Sequence, residues 1–302
     1  MEFKQLESFA AVVRLQSFTR AAEQLYISQP TISTHIRALE EELNMRLILR
    51  TTKSIEVTME GQKFYEYAVN ILQLRDRMLQ ECSAEAKRII HLGASTIPSA
   101  YILPEVLPKF GAKFPNTFFV IHQSDSKGVL EGLTDGIFDV GLLGMECLKE
   151  SMTCEPFCED RMVLITPVAD RFLKMQMRGV SAAELLVSEP VILREKGSGS
   201  MKGMDRFMEQ MGILPEQLNV TARINDPEAI KNLVAQGLGI SIISQRAARN
   251  FIREKRLLSF DLPESANRRM LYLTYRTDHA DYAQIREFVD FVKRFYGVEN
   301  DR

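Results

Sequence analysis

Two groups of polar residues in this 302-residue sequence have the types and spacing that binding requires. The first group follows Ser28 and lies off the apolar stripe of a predicted helix. Its small hydroxyl, amide and guanidinium side chains suit hydrogen bonds to base edges and phosphates. The pattern therefore predicts DNA contacts from Gln29, Thr31, Ser33, Thr34 and Arg37, and a bundle of helices with ordinary polar outer faces is the alternative.

The second group follows predicted strand ends in the C-terminal two thirds of the chain. Residues 93–98 end one strand and open a helix, so backbone N–H groups and the hydroxyls of Ser95 and Thr96 form a natural anion site. Ligands of open α/β sheets bind where strands end. The predicted effector contacts are Ser95, Thr96, Ile97, Ser124, Gly144, Arg194, Ser198 and Ser200. Helix capping by the hydroxyls, and a salt bridge from Arg194 to a neighbouring acid, remain open alternatives.

We find no sequence pattern that indicates catalysis or metal binding. There is no nucleophile–base–acid arrangement, no glycine-rich nucleotide loop and no paired-carboxylate signature. Cys154 and Cys158 have three residues between them rather than the two of a metal knuckle, and no histidine is near. We expect no enzyme, no metal and no cofactor. A redox switch at these cysteines is the alternative to ordinary reduced thiols.

A helix pair must position the first group. Residues 3–14 place apolar residues at helical spacing, and Ser17 is a good N-cap for a short helix that runs to Leu25. Ser28 caps a third helix with Pro30 in its first turn. Two helices joined by a turn of about four residues let the second helix enter the major groove.

The residues after the helix pair predict a wing and a long helix. Residues 47–58 form two short strands, from which Arg50 and Lys53 reach phosphate, as does Arg20 from the second helix. Thr58 then caps a helix that continues to Lys87. Its apolar seam, spaced by three and four, predicts pairing with a second copy, and packing within the same chain is the alternative. The seam is Phe64, Tyr67, Ile71, Leu74 and Met78.

From Ile89 onwards, short apolar runs alternate with helical patterns, which predicts parallel sheets covered by helices. Two similar α/β halves joined by extended crossovers describe a two-lobed binding domain. We expect a DNA-binding domain at 1–58, a linker helix at 59–88 and an effector domain at 89–302. Lobe I takes about 89–162 and 268–302, and lobe II takes about 163–267.

Composition excludes some classes of protein. The formal net charge of −2 neither favours nor opposes DNA binding, because contact requires only a local basic face. We find no basic segment followed by an apolar run at the N-terminus and no stretch of membrane-spanning length. The four cysteines are therefore expected to be reduced thiols in a cytoplasmic protein without a membrane partner.

The N-terminal residues closely resemble the LysR-type transcriptional regulators. Residues 17–25 match the family pattern Ser-Phe-Thr-x-Ala-Ala-x-x-Leu, and residues 28–33 match Ser-Gln-Pro-x-x-Ser. The wing and Gly61 also match. The resemblance adds DNA contacts at Phe18, Thr19, Ser28, Pro30 and His35. His35 replaces a more usual glutamine, so base preference is expected to differ there.

The resemblance implies a winged helix-turn-helix, a linker helix and a two-lobed effector domain like that of periplasmic binding proteins. It implies a homodimer or homotetramer that binds double-stranded promoter DNA and contacts RNA polymerase. Residues 93–104 and 192–200 resemble the family branch for cysteine, sulfur or selenium metabolism. A small anion or amino-acid-related metabolite is therefore the expected effector. A solute-binding protein and an α/β enzyme are the competing hypotheses.

Overall fold

The structure is a computed structural model that describes residues 1–50, 55–81, 88–195, 198–264 and 267–297, with only the backbone of residues 50, 77, 80 and 81. The chain packs as two units. Unit 1 comprises residues 1–88 with 134–137, and unit 2 comprises residues 89–133 with 138–302. No helix in the described ranges is both long and apolar enough to cross a bilayer.

Three helices open unit 1, as the apolar spacing predicts. They are α1 (Phe3–Leu15), α2 (Phe18–Leu25) and α3 (Gln29–Leu43). Ser17 accepts a hydrogen bond from the N–H of Arg20, and Ser28 accepts one from the N–H of Thr31, so both are N-caps as predicted. The apolar faces converge on a core that includes Phe9, Ile32, Ile36 and Leu39.

The wing follows as strands β1 (Ile48–Arg50) and β2 (Ile55–Val57), which pair antiparallel. The turn between them, including Lys53, lies outside the described residues. Thr58 closes the wing: its hydroxyl donates to the carbonyl of Arg46 at 2.8 Å and accepts from the N–H of Gly61 at 2.8 Å. A Cβ on Gly61 would lie 2.1 Å from the Leu47 carbonyl oxygen, so this position requires glycine.

The linker helix α4 spans Met59–Glu81, and its predicted continuation to residue 87 lies outside the described residues. One face packs on α1, where the rings of Phe64 and Phe9 lie 5.3 Å apart. Arg75 Nη1 donates to Glu7 Oε1 at 2.6 Å on the same side. The rest of the predicted seam is exposed, with Tyr67 and Leu74 each 59% accessible. Phe64 therefore packs within its own chain, as the alternative predicts. The other residues of the seam are exposed and can contact a second copy.

Unit 2 has the alternating strands and helices that the sequence predicts. In chain order they are β3 (Arg88–Ala94), a π-helical turn (Pro98–Ile102), α5 (Leu103–Lys113), β4 (Thr117–Gln123), α6 (Ser126–Thr134), β5 (Val140–Leu143), β6 (Met152–Pro167), α7 (Asp170–Met177), α8 (Ala182–Ser188), β7 (Pro190–Arg194), α9 (Gly199–Met211), β8 (Asn219–Ile224), α10 (Pro227–Ala235), β9 (Ser241–Ser244), α11 (Gln245–Arg253), β10 (Leu257–Asp261), β11 (Arg268–Arg276) and α12 (Ala283–Phe295).

Two hydrophobic cores divide unit 2 into the two expected lobes. The lobe I core includes Ile90, Phe110 and Phe288, and the lobe II core includes Phe172, Leu186 and Phe207. The strand β6 contributes to both cores, with Phe157 in the first and Leu164 in the second. The lobes are therefore joined through one continuous strand.

The sheet order explains how β6 joins the lobes. Strands follow the order β10-β6-β11-β5-β3-β4, with β9 also paired to β6. The predicted parallel pairing joins β3 to β5 and β7 to β8. Strand β6 instead pairs antiparallel with β9, β10 and β11, and β11 pairs antiparallel with β5, which corrects the prediction of wholly parallel sheets. The strand β6 has 16 residues, and a continuous apolar run is found only in its second half, at residues 162–165. Acidic residues and Pro156 interrupt the apolar residues of the first half, so its sequence does not indicate a buried strand. Helices α7, α8 and α11 and strand β10 were also not predicted.

Candidate functional site

The outward face of α3 carries most of the predicted base-contacting side chains. Gln29, Thr34 and Arg37 are exposed, whereas Thr31 and Ser33 are half-buried. Local hydrogen bonds orient them. Gln29 Nε2 donates to Ser33 Oγ at 3.1 Å, and Thr34 Oγ1 donates to the Pro30 carbonyl at 3.0 Å. The face thus presents donors and acceptors in a fixed arrangement.

An open groove runs between α3 and the start of the wing. Ser33, Thr34 and Arg37 line one side, and Arg46 and Leu49 line the other. Arg46 was not among the predicted DNA contacts. It follows α3 and precedes β1, where a basic residue in an irregular segment gives no periodic signal.

Glu40 holds the wing against α3. Its carboxylate accepts from the N–H groups of Leu47 and Ile48 at 2.9 and 3.1 Å, and from Arg46 Nη1 at 2.9 Å. The side chain is buried, so three donors, one of them charged, offset the cost of removing the carboxylate from water. Helix α3 and strand β1 are consequently fixed to each other.

Basic residues near α3 also have protein partners. Arg37 Nε lies 3.2 Å from Glu41 Oε1, one turn along the same helix, and both side chains are exposed. Arg20 Nη2 donates to the Leu15 carbonyl. Exposed pairs of this kind are weak, so these guanidinium groups remain free to exchange partners.

The remaining predicted contacts divide into exposed and inward residues. Thr19, Ser28 and Pro30 are exposed, and Phe18 is half-buried against the core of unit 1. His35 points inward: its Nδ1 lies 2.7 Å from Ser8 Oγ, and Ser8 is fully buried on α1. The side chain of Arg50 and all of Lys53 lie outside the described residues.

A narrow cleft in unit 2 brings the second group together. All of the predicted effector contacts line it except Ser124. The Ser124 hydroxyl instead lies against Gly128 on α6, 2.2 Å from where a Cβ would be. The lining residues are Ser95, Thr96, Ile97, Asp125, Ser126, Gly144, Arg194, Glu195, Ser198, Gly199, Ser200 and Arg269.

Two largely buried serines line this cleft. Ser95 is 7% exposed and Ser126 is 4% exposed. Within the part of the chain that the structure describes, neither hydroxyl makes a side-chain hydrogen bond. Buried polar groups are ordinarily hydrogen-bonded, so both are available to a ligand. Ser126 was missed by the strand-end rule because it opens α6.

Ser198 and Ser200 differ in their engagement. Ser198 accepts from the N–H of Met201 at 3.1 Å and caps α9, which is the alternative left open for it. Ser200 Oγ lies 3.4 Å from Arg269 Nη1 across the cleft. The cleft wall is close here, because a Cβ on Gly199 would lie 2.9 Å from the Gly144 carbonyl oxygen.

Two guanidinium groups supply positive charge. Arg194 is 4% exposed, and its Nε and Nη2 donate to the carboxylate of Glu195 at 2.8 and 2.7 Å. The neighbouring salt bridge considered for Arg194 therefore exists, and Arg194 also lines the cleft. Asp125, the other acid of the lining, accepts from the N–H of Gly128 at 2.7 Å.

Arg269 was not predicted. Its Nε and Nη2 donate to Asp160 Oδ2 at 2.9 and 2.7 Å, while Asp160 Oδ1 accepts from Ser244 at 2.6 Å. This leaves Nη1 of Arg269 directed at Ser200 and Gly144. The available sequence signal was the Arg268–Arg269 pair, which precedes the mostly apolar residues 270–275 of the same strand.

The cleft is therefore rich in hydrogen-bond donors, with hydroxyls and two fixed guanidinium groups around a small volume. Such donors can pair with the hydrogen-bond acceptors of a ligand. The described residues include no cluster of His, Cys, Asp and Glu that would hold a metal ion.

Cys154 and Cys158 lie on β6, and Cys147 lies shortly before it, outside the cleft. Burial raises the pKa of the Cys154 and Cys158 thiols above the ordinary value. Cys154 Sγ accepts from the N–H of Cys147 at 3.2 Å, and Arg246 Nη2 lies 3.0 Å from Cys158 Sγ. Cys82 lies outside the described residues. These surroundings favour neutral thiols.

Comparison with known proteins gives two family matches. Residues 3–62 match the family described as bacterial regulatory helix-turn-helix protein, lysR family. Residues 83–296 match the family described as LysR substrate binding domain. Together these matches span most of the chain.

Individual relatives agree with these matches. An uncharacterised HTH-type transcriptional regulator of Methanocaldococcus jannaschii is 28% identical over 296 residues, covering 95% of this chain and 97% of the relative. The HTH-type transcriptional activator CmpR of Synechocystis is 32% identical over 243 residues, covering 80% of this chain and 78% of CmpR. A solved full-length OxyR variant from Pseudomonas aeruginosa is 18% identical, with a TM-score of 0.72 over 99% of this chain and 96% of that chain, and it shows the likeness of fold.

Proposed function

Since the chain belongs to the LysR family of transcriptional regulators, we propose that α3 reads promoter DNA and that a small anion in the cleft of unit 2 modulates this regulation. Family membership makes the chain a regulator with a helix-turn-helix and a small-molecule-binding domain. The proposal adds which residues act and what chemistry the effector has.

Base reading is assigned to the exposed polar face of α3. Gln29, Thr34 and Arg37 are accessible and carry side chains that pair with base edges. Thr19 and Arg20 at the start of α2, and Arg46 beside the groove, are placed to contact phosphate. The contact of His35 with buried Ser8 supports a packing role for this histidine rather than base reading.

The effector assignment rests on one observation: two buried hydroxyls, Ser95 and Ser126, open into a cleft that also holds Arg194 and Arg269. A small oxyanion supplies acceptors for both hydroxyls and for guanidinium N–H groups at once. The cleft is narrow, which limits the ligand to a small molecule. An amino-acid-related metabolite is the second candidate, because Asp125 and Glu195 also line the cleft and would favour an ammonium group.

Assembly is assigned to α4. Tyr67, Leu74 and Met78 lie at helical spacing on its exposed face, and pairing with a second copy would bury them. Two-fold pairing places two copies of α3 on an interrupted palindrome. We propose that the protein is at least a homodimer, acts in the cytoplasm and contacts RNA polymerase at its promoters.

The DNA assignment is tested by binding of the full chain to its own promoter fragment. Replacing Gln29, Ser33 and Arg37 by Ala in one triple variant should abolish sequence preference. Circular dichroism should show that this variant keeps its fold. The matched control is Gln176→Ala on α7. Binding that is unchanged in the triple variant, or that does not weaken with added salt, would refute the DNA-reading assignment.

The effector assignment is tested by calorimetry with sulfate, phosphate and free amino acids. We expect sulfate or phosphate to bind, and Ser95→Ala or Ser126→Ala to weaken binding about tenfold, as expected for loss of a hydrogen bond to a charged group. The exposed Ser188→Ala is the matched control. Heat only from the amino acids would replace the oxyanion with the second candidate, and no binding by either class would exclude both.

A further inference from the structure

The segment that carries Ser95 and Thr96 continues as a helix that packs into both lobes. Ile102, Val106 and Phe110 belong to the core of lobe I. Ile97 and Tyr101, on the other face, pack with a second hydrophobic cluster in lobe II that includes α10 and α11. One wall of the cleft is therefore continuous with a contact between the lobes.

Tyr101 makes a polar contact at this junction. Its hydroxyl donates to Glu228 Oε1 on α10 at 2.6 Å. Burial and the hydrogen bond to Glu228 raise the pKa of Tyr101, so its hydroxyl stays protonated and remains a donor. Burial raises the pKa of Glu228, but hydrogen bonds from Lys231 and Tyr101 outweigh it and lower that pKa overall. Glu228 therefore stays an anionic acceptor at neutral pH.

Lys231 is the buried centre of the junction. Its side chain is 2% exposed, and its Nζ lies 2.7 Å from Glu228 Oε1 and 2.9 Å from the Ala247 carbonyl oxygen on α11. The ammonium also lies 3.4 Å from the Tyr101 hydroxyl and 4.5 Å from the centre of the Phe251 ring. A buried ammonium needs such partners. Tyr101 is the one among them that lobe I supplies, so parting the lobes at Tyr101 would open this side of the ammonium to water.

A second contact lies one helical turn further along. Glu105 is four residues after Tyr101, which places it on the same face of the helix. Its Oε2 lies 3.7 Å from Arg246 Nη1 on α11. The two contacts join lobe I to α10 and α11, respectively.

We propose that Tyr101 and Glu105 of lobe I, with Glu228, Lys231 and Arg246 of lobe II, form an interlobe latch that holds the effector cleft closed. The proposal rests on the proposed function in one respect: the cleft is taken to be the effector site. Effector that contacts Ser95 and Thr96 binds one turn before Tyr101, so occupancy of the cleft and closure of the latch stabilise each other. A ligand that prefers the closed state shifts the population toward it.

The test uses the exposure of Lys231 in the effector-free full chain. The protein is labelled with N-hydroxysuccinimidyl acetate, and acetylation of each lysine is followed by peptide mass spectrometry. Tyr101→Phe retains the ring and removes the hydroxyl. We expect Lys231 to be acetylated about fivefold faster, which corresponds to about 1 kcal/mol for one hydrogen bond. Lys293, a buried lysine of lobe I, should keep its rate and reports on global unfolding.

A second variant separates opening of the lobes from local loosening. Glu105→Gln weakens the Arg246 contact between the lobes and also changes the acceptor of the Tyr296 hydroxyl, a contact within lobe I. None of the described contacts joins Glu105 to Lys231. If the contacts act together as a latch, Lys231 acetylation rises about threefold in this variant as well. Tyr272→Phe on β11 is the matched tyrosine control and should leave the rate unchanged.

The outcomes decide the proposal. Faster acetylation of Lys231 in both variants, with Lys293 unchanged, supports the latch. An unchanged Lys231 rate in either variant, or a parallel rise at Lys293, overturns it. Sulfate calorimetry on the same samples tests the anion assignment separately, because the labelling needs no effector.

Discussion

Arg269 and Asp160 lie directly opposite each other where β11 pairs with β6, and two guanidinium nitrogens of Arg269 donate to one carboxylate oxygen of Asp160. Asp160 is 0% exposed, and Ser244 supplies its other oxygen with a third hydrogen bond. The pair therefore fixes a charged cleft residue to a strand that is shared by both lobes.

Asp160→Asn tests the energetic weight of this pair. The substitution leaves the Arg269 charge buried without its counter-ion, and breaking a buried pair costs on the order of 3 kcal/mol. We expect a clear fall in the urea midpoint followed by circular dichroism. Glu131→Gln, which removes an exposed pair with Lys127, is the control and should change stability by less than about 0.5 kcal/mol. Equal effects of the two substitutions would contradict the account.

Arg37→Ala tests whether this side chain contacts phosphate or a base. A lost phosphate contact weakens binding to all sequences alike and lowers the salt slope by about 0.9. A lost base contact lowers discrimination at one position by about 1–3 kcal/mol. Because Arg37 lies beside the acidic Glu41, Glu41→Gln should strengthen binding in either case. Weaker binding by Glu41→Gln would show that Glu41 positions Arg37 instead.

Ser8→Ala tests the inward position of His35. It removes the buried partner of His35 Nδ1, so stability should fall by about 1 kcal/mol in thermal unfolding. Selection of binding sites from random DNA should return the same base preference as the unmodified chain. A changed preference would restore the reading of His35 as the residue that distinguishes this chain from its relatives.

The cysteine thiols predict a pH dependence of alkylation. A raised pKa means that Cys154 and Cys158 are mostly neutral at pH 7, and the thiolate is the reactive form. Iodoacetamide labelling should therefore be slow at pH 7 and still be accelerating at pH 9, with no plateau near neutrality. Free glutathione is the control. Rapid labelling of either cysteine at pH 7 would favour the redox-switch alternative.

The sequence predicts best where a rule connects neighbouring residues. Ser17 and Ser28 cap helices because capping is local, and Ser95 and Ser200 reach the cleft because strand ends and helix starts lie close along the chain. Arg269 could not be predicted in this way. Its position depends on the pairing of β11 with β6, whose partner residue Asp160 is 109 positions away.

The other omissions have a similar cause. The first half of β6 pairs with β11, whereas its second half pairs with β9 and β10. Glu155, Glu159 and Asp160 interrupt the apolar period that marks a buried strand. His35 lies between the polar Thr34 and the apolar Ile36, so its contact with Ser8 on another helix is what distinguishes an inward from an outward orientation. Information of this kind becomes visible only when distant segments are brought together.

The Glu40 carboxylate, which accepts N–H groups from the first wing strand, has a consequence for how a signal reaches DNA. Because Glu40 fixes α3 to β1, the helix-turn-helix and the start of the wing of each copy are expected to bind a half-site as one rigid unit. We then expect an effector to alter the spacing or angle between the two DNA-binding units of a dimer, and through it the curvature of the operator. The preferred bases within each half-site should be identical with and without the effector, whereas the separation that the two halves tolerate should differ.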